Sequence, residues 1–488
     1  MNLSAMNDRA LLGQSEPKTT TSSFQFHGRW IHLFCQARNI GVLLLPSFVS
    51  QAFIANESFQ AGSGRSSLSP TLYLDGLRGL FSLLVFIRHF LLPWEEGLDT
   101  GYAQAEIPNN RSFIKLPIIR LIYAGPTVPI FFIVSGFVLA YKPLKLIRNK
   151  EHNSLGLYTM SPVLRRPFRL FLPPLASTLV VVFAVSAGLY AAPYQDMSGW
   201  VPRHPERLGS LWAQIWDWMR FVTVDLTHPW SWRSPLSEYD SHLWTIPIQF
   251  RASLIVYLTL LGLARARPLV RGTTLVVLCV YSLQQERWEM YLFFAGVFLA
   301  ERSLDSHDNS QGQISDGGES APIRSTPKPL PQTRVLPKVM FLVGLYLSSY
   351  PRARNSGSLT PSYIFLSTLT DRYIYWQSYG ATLMCWSLSS DKLLQKPFTI
   401  RPLRYLAKIS FPLYIIHGPV LHIFGYCMVP KFQLLTGVST WWQYQLGVFL
   451  AFIVLAPAVV WIADIFWRAV DKPCSTLVVR TIEPFFLS

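Results

Sequence analysis

The stretch LDGLRGLFSLLVFIRHF, residues 74–90, is apolar enough to cross a bilayer, yet it carries Asp75, Arg78, Arg88 and His89. Ionisable groups inside a spanning helix are costly and tend to mark function, so this one stretch bears on both fold and chemistry. Its setting decides the fold. Half of the 488 residues are hydrophobic and 14% are charged, whereas a soluble domain has about 25% charged residues. Apolar runs recur along nearly the whole chain. The reading is an all-α protein, a polytopic transmembrane helical bundle of about ten spans.

The spans are expected near 77–93, 118–141, 169–192, 242–263, 271–284, 288–301, 338–350, 377–390, 407–427 and 446–467. Several are shorter than the roughly 20 residues a straight helix needs, which implies tilted or broken helices. Residues 1–70 read as a cytosolic N-terminal extension with an interfacial apolar patch at Ile40–Ala55, and no cleavable signal opens the chain. Residues 71–470 form the membrane domain, and 471–488 a cytosolic tail.

A net charge of +16 suggests nucleic acid at first sight, but Lys and Arg cluster between apolar runs, as Lys142, Lys145 and Arg148 do after the second span. The positive-inside rule accounts for them and puts both termini in the cytosol, so a lipid bilayer is the partner and nucleic acid is not. Arg302–Pro337, rich in Ser, Gly, Pro and Asp, reads as a flexible linker. In the Trp-rich connection Ala192–Ser241, LWAQIWDWMRF suits an amphipathic helix at the interface. Asn110-Arg111-Ser112 is a glycosylation sequon placed in the lumen. The five cysteines have neither zinc-site spacing nor the density of a disulfide framework.

Arg78 and His89 are eleven residues apart, which on a helix is about three turns and roughly 16 Å along one face. Arg88 lies about 80° off that face. RRPFRL, residues 165–170, puts Pro167 in the first turn of the third span and Arg166 and Arg169 on one side of it. These arginines are ordinary topology signals or, with Arg78, a phosphate pocket. In PIFFIVSGFVLAYKP, residues 129–143, Ser135 and Gly136 suit close helix packing. No nucleophile elbow surrounds Ser135. In SEYDSHLWTIPIQFR, residues 237–251, Glu238, Asp240 and His242 crowd the start of the fourth span, with Gln249 about two turns on. A carboxylate beside a histidine can orient it for proton transfer, and an interfacial loop also tolerates such charges. His417 lies in the ninth span with Tyr414 one turn before it, as a core histidine or a site residue.

Together these stretches resemble the acyltransferase 3 family of integral-membrane acyltransferases, in the form common in filamentous fungi. The likeness runs from about Leu72 to Trp467, and YLDGLRGLFSLLVFIRHF, FFIVSGFVLAYKPL, LWTIPIQFR and ISFPLYIIHGPVLH occur in the family's order. The resemblance implies transfer of an acyl group, usually acetyl, from coenzyme A to a hydroxyl. His89 matches the family's first-helix histidine, Arg78 its partner arginine, Arg166 and Arg169 its R-x-x-R pair, Ser135 its second-helix motif, and Tyr414 and His417 its late region. Gln249 departs from the family pattern, which has a glutamate there; an amide cannot take a proton as a carboxylate can.

The expected mechanism follows. Arg78, Arg166 and Arg169 hold the donor's phosphates, and His89 is the catalytic base that takes the proton of the acceptor hydroxyl. Ser135, Glu238, Asp240, His242, Gln249, Tyr414 and His417 support the site or face the acceptor. Acyl-CoA, expected to be acetyl-CoA, is the co-substrate, with no bound cofactor and no metal. The acceptor is expected to be a hydroxylated small molecule, such as a fungal terpenoid or polyketide, and the location the endoplasmic reticulum. The alternatives are a transporter of a small metabolite, acylation of a cell-surface sugar, and an enzyme of the unrelated membrane-bound O-acyltransferase superfamily.

Overall fold

The computed structural model describes residues 46–47, 71–104, 112–230, 238–315 and 332–482, and among these every regular element is helical. The longer helices are α1 (Leu72–Leu91), α2 (Thr127–Arg148), α3 (His152–Ser186), α4 (Leu211–Phe221), α5 (Thr245–Gly262), α6 (Pro268–Gln284), α7 (Trp288–Ser315), α8 (Gln332–Ser348), α9 (Tyr373–Ser390), α10 (Arg401–Val420), α11 (Tyr426–Thr436) and α12 (Trp441–Phe466). Each of the ten expected spans overlaps one of them. Stretches that include α2, α3, α5, α10 and α12 are long and apolar enough to cross a membrane. The protein is an all-α membrane bundle.

The apolar residues sort into two cores. One gathers the first half of α1 (Tyr73, Leu77, Phe81) with α2, α5, α7 and α9. The other gathers its second half (Val85, Phe86, Phe90) with α3, α10, α11 and α12. Helix α1 thus contributes to both cores.

Small residues set the helix spacing. A Cβ on Gly79 would run into the backbone of Leu403 and Ala407, so α1 and α10 touch along their main chains. Gly136 of α2 meets the Phe293 carbonyl of α7, and Gly296 of α7 meets the Ile133 carbonyl of α2. Such close approach strengthens van der Waals packing, which drives helix association where lipid competes equally for apolar surface. Ions lock the same region: Arg148 of α2 reaches Glu301 at 2.9 Å and Asp305 at 2.6 Å, and Arg271 of α6 reaches Glu301 at 2.6 Å.

Several expected boundaries need correction. The second span does not begin at 118: Gly125-Pro126 interrupts it, and α2 starts at Thr127. Pro167 is not in a first turn but inside the 35-residue α3, with Pro162, Pro173 and Pro174. Neighbouring helices in a membrane bundle let a helix carry such prolines. The proposed linker is helical at both ends, since α7 continues to Ser315 and α8 begins at Gln332. Residues following Asp471 are also helical, with Lys472–Leu477 packed near α3. Helix α4 forms as expected, capped by Ser210 Oγ accepting from the Ala213 amide at 3.1 Å, with Trp212 and Trp216 exposed. The Ile40–Ala55 patch, all but two of its residues, and Asn110 and Arg111 of the sequon lie outside the described residues.

Candidate active site

Helices α1 and α10 pack side by side, and two polar contacts join them. Near the start of α1, Arg78 donates from Nε to Ser410 Oγ and from Nη2 to the Ala407 carbonyl, both at 3.3 Å, with Asp75 at 3.8 Å. Three turns further on, His89 Nδ1 lies 3.1 Å from His417 Nε2. The helical rise separates these two contacts by about 16 Å.

Arg78 opens onto a cavity of about 240 Å³. Arg166 and Arg169 of α3 and Lys408 of α10 share its wall, so four cations surround one space. Ser135 and Gln249 also line it, while Gly136 serves the α2–α7 contact. Asp471, assigned above to a tail, adds a carboxylate among these cations. Thr245 and Tyr414 close the other end: their hydroxyls are 2.7 Å apart, and Tyr414 also donates to the His242 carbonyl.

Behind Tyr414 sit three imidazoles. The His89 and His242 ring centres are 3.9 Å apart, those of His242 and His417 4.4 Å, and the Tyr414 ring is 6.0 Å from that of His417. His242 and His417 are buried and His89 is partly so. Asp240 caps the short turn Ser241–Trp244, accepting at Oδ1 from the His242 amide at 2.9 Å and from its Nδ1 at 2.7 Å. Gly418 of α10 lets this pair approach, since a Cβ there would meet His242 Nδ1.

The hydrogen bonds fix the tautomers. A carbonyl only accepts, so His417 donates from Nδ1 to the Leu413 carbonyl at 3.1 Å and its Nε2 must accept. His89 therefore donates from Nδ1 and keeps a lone pair on Nε2. His242 donates from Nδ1 to Asp240 and likewise keeps its Nε2 lone pair. The arrangement offers two imidazoles able to act as bases, one backed by a histidine and one by a carboxylate. The same three imidazoles are a group among the described residues that could hold a metal ion, their ligand atoms lying within 4.8 Å of one another.

Arg78, Ser135, Arg166, Arg169, Gln249 and Tyr414 thus meet at the cavity, and His89, Asp240, His242 and His417 meet beside it. Glu238 joins neither group; it is exposed, because the turn that buries Asp240 leaves it outside. Sequence reasoning singled out neither Lys408 nor Asp471, the second of which it assigned to the tail.

The acyltransferase domain model of the acyltransferase 3 family matches residues 71–468. The O-acetyltransferase PaAT-1 of Phomopsis amygdali is 28% identical over 83% of each chain. Acyltransferase R4 of Phoma sp. and acyltransferase clz18 of Cochliobolus lunatus are each 27% identical, over 84% of this chain and 96% and 95% of theirs. No solved structure matches the chain. Because the family match covers the bundle from the start of α1 to the end of α12, and the relatives it resembles over that length are fungal acyltransferases, the chain belongs to the acyltransferase 3 family and is an acyltransferase.

Proposed function

We propose that the protein moves an acyl group, with acetyl the expected one, from its coenzyme A ester to a hydroxyl of a small molecule, with a fungal terpenoid or polyketide the expected class. One observation carries the reading: a cavity ringed by Arg78, Arg166, Arg169 and Lys408 ends at Tyr414, against the imidazole cluster. Guanidinium groups match phosphate oxygens in charge and fork geometry. A donor with its phosphates on the arginines extends its pantetheine arm the roughly 16 Å to His89. The named O-acetyltransferase relative supports acetyl.

In this mechanism the acceptor hydroxyl attacks the thioester carbonyl while His89 Nε2 takes its proton. His417 holds the His89 ring through Nδ1, so the base points one way. The carbon–oxygen bond forms, the carbon–sulfur bond breaks, and the proton passes from His89 to the departing thiolate. Asp240 holds His242 as a second base beside the first. No bound cofactor is required. The arginines mark the cytosolic end, with both termini on that side and the endoplasmic reticulum as the membrane.

The test compares small-molecule extracts of a producing host carrying the wild-type gene, a deletion and His89→Ala, by mass spectrometry. Both defective strains should lose one product and accumulate a species lighter by one acyl unit. A His89→Ala strain identical to wild type, beside a deletion that only redistributes a metabolite, would replace this reading with transport.

A further inference from the structure

Arg88 has no part in the mechanism above, yet it is buried next to His89. It turns away from the cavity and grips Asp99 with both ends of its fork, at 2.9 and 3.0 Å. Two more arginines converge on the same residue. Arg120 donates from Nη2 to the Asp99 carbonyl at 3.3 Å, and the Arg352 amide donates to that carbonyl at 3.0 Å. Arg352 also donates from Nη2 to the Gly125 carbonyl at 2.8 Å.

The charges do not balance. Among the described residues the Asp99 carboxylate is matched by Arg88, which leaves Arg120 on a backbone carbonyl and Arg352 on a carbonyl and the face of the Tyr373 ring, 5.7 Å from its centre. Arg120 is completely buried, and its Nε and Nη1 have no hydrogen-bond partner; the Arg352 Nε has none either. The hydroxyls of Tyr123 and Tyr363, electrostatic neighbours of Arg120, donate elsewhere, to the Ile114 and Tyr346 carbonyls. Burial first, and then the charge of Arg88, push the Arg352 guanidinium down to about 10. A buried cation without a counter-charge is strongly unfavourable, and a guanidinium N–H left without an acceptor is a ready donor to an anion.

We propose that this end of the bundle binds a small anion, a carboxylate or an inorganic ion, on the unpartnered N–H groups of Arg120 (Nε and Nη1) and Arg352 (Nε), with Arg88 and Asp99 as the frame that holds them. The anion comes either from solution or from the acceptor, which in the second case is a hydroxy acid whose hydroxyl meets His89. That second source rests on the acyl-transfer reading; the site itself does not.

The test uses the full-length protein in lipid nanodiscs without coenzyme A. Thermal unfolding is followed as the bulky anion of a sodium HEPES buffer is replaced by chloride or formate at constant ionic strength, with formamide as the uncharged control. A saturable rise with both anions and none with formamide is expected. The half-saturating concentration should rise at least about tenfold in Arg120→Gln and Arg352→Gln and stay unchanged in Arg220→Gln, whose arginine is exposed on α4. Should Arg120→Gln fail to fold, Arg120→Lys keeps the charge without the fork and should show the same weakening. No anion-specific rise, or a rise equal in the cluster variants and wild type, overturns the proposal and leaves water as what satisfies these groups. With the acceptor recovered from host extracts, chloride raising its KM at constant kcat identifies the acceptor's carboxylate as the anion; transfer unaffected by chloride identifies a free ion. A wild-type-like His89→Ala strain would sink acyl transfer while leaving the unfolding result intact.

Discussion

Arg78 and Arg88 lie on one helix, ten residues apart, and the protein treats them in opposite ways. Arg78 rests on neutral acceptors, Ser410 Oγ and the Ala407 carbonyl, and faces a cavity shared with Arg166, Arg169 and Lys408. Arg88 is pinned in two-point contact with Asp99, and its neighbours Arg120 and Arg352 do not line that cavity. The first group is open and held loosely, so a large anionic ligand can take over its hydrogen bonds. The second is joined by a two-point ion pair and keeps unpartnered donors, which suits a frame that holds a shape and, as proposed, a small anion. Between them the imidazoles cluster, His89 bonded to His417 and His242 to Asp240, placed where a proton rather than a phosphate is handled. The difference lies in what surrounds each arginine, not in the arginines.

The sharpest way to break the comparison is at the middle region. His89→Ala should lower kcat for product formation by at least about a hundredfold with the fold intact, measured by mass spectrometry and thermal unfolding. His417→Ala tests the same chain of bonds more gently, since it removes the ring's support and not the base; a loss of about tenfold in kcat with donor KM unchanged is the expected split. At the open end, Arg166→Ala should raise the donor's KM by about tenfold and leave kcat nearly alone, because the arginine meets phosphates far from the reacting carbon. An equal fall in kcat would move Arg166 into the chemistry.

The sealed end should respond in stability. Asp99→Asn leaves three guanidiniums without a carboxylate, and a loss of about 2 kcal/mol is expected, below the roughly 3–5 kcal/mol of a fully buried pair because the Asp99 side chain is 32% exposed. Burial would raise the Asp99 carboxyl, but Arg88, Arg352 and Arg120 outweigh it and hold it below the usual range. A lowered folded-state value stabilises the protein above the unfolded-state value of about 3.9, and the gain is lost as pH falls through the lower one. The gap between wild type and Asp99→Asn should therefore be full at pH 6 and close at pH values below about 4. The smallest effect is expected at Gln249, which lines the open cavity: Gln249→Glu should change kcat/KM by no more than about threefold, because nearby arginines already tune the field there.

Much of this was legible from residue order alone. The positions of the helices follow from apolar runs about twenty residues long, a local property, and Arg78, Arg166 and Arg169 stood out as cations at a helix start. Boundaries failed where local rules meet the membrane. Four prolines inside α3 would end a helix in water, but packed neighbours tolerate them here, so α3 begins 17 residues before the expected span. Lys408 and Asp471 were invisible as site residues because exposed charges near a helix end are common.

The sequence by itself determined an all-α membrane bundle and the residue types able to hold a donor and move a proton, since hydropathy and helical spacing are carried by neighbours along the chain. Only the tertiary structure decided that His89 and His417, 328 positions apart, share a hydrogen bond, that Asp240 turns His242 toward them, and that Arg88 belongs to a different cluster from Arg78. The physical reason is distance. A hydrogen bond needs its atoms within about 3 Å, and that separation was set by where Gly79 and Gly418 let α10 meet α1 and the His242 turn, which no local pattern records.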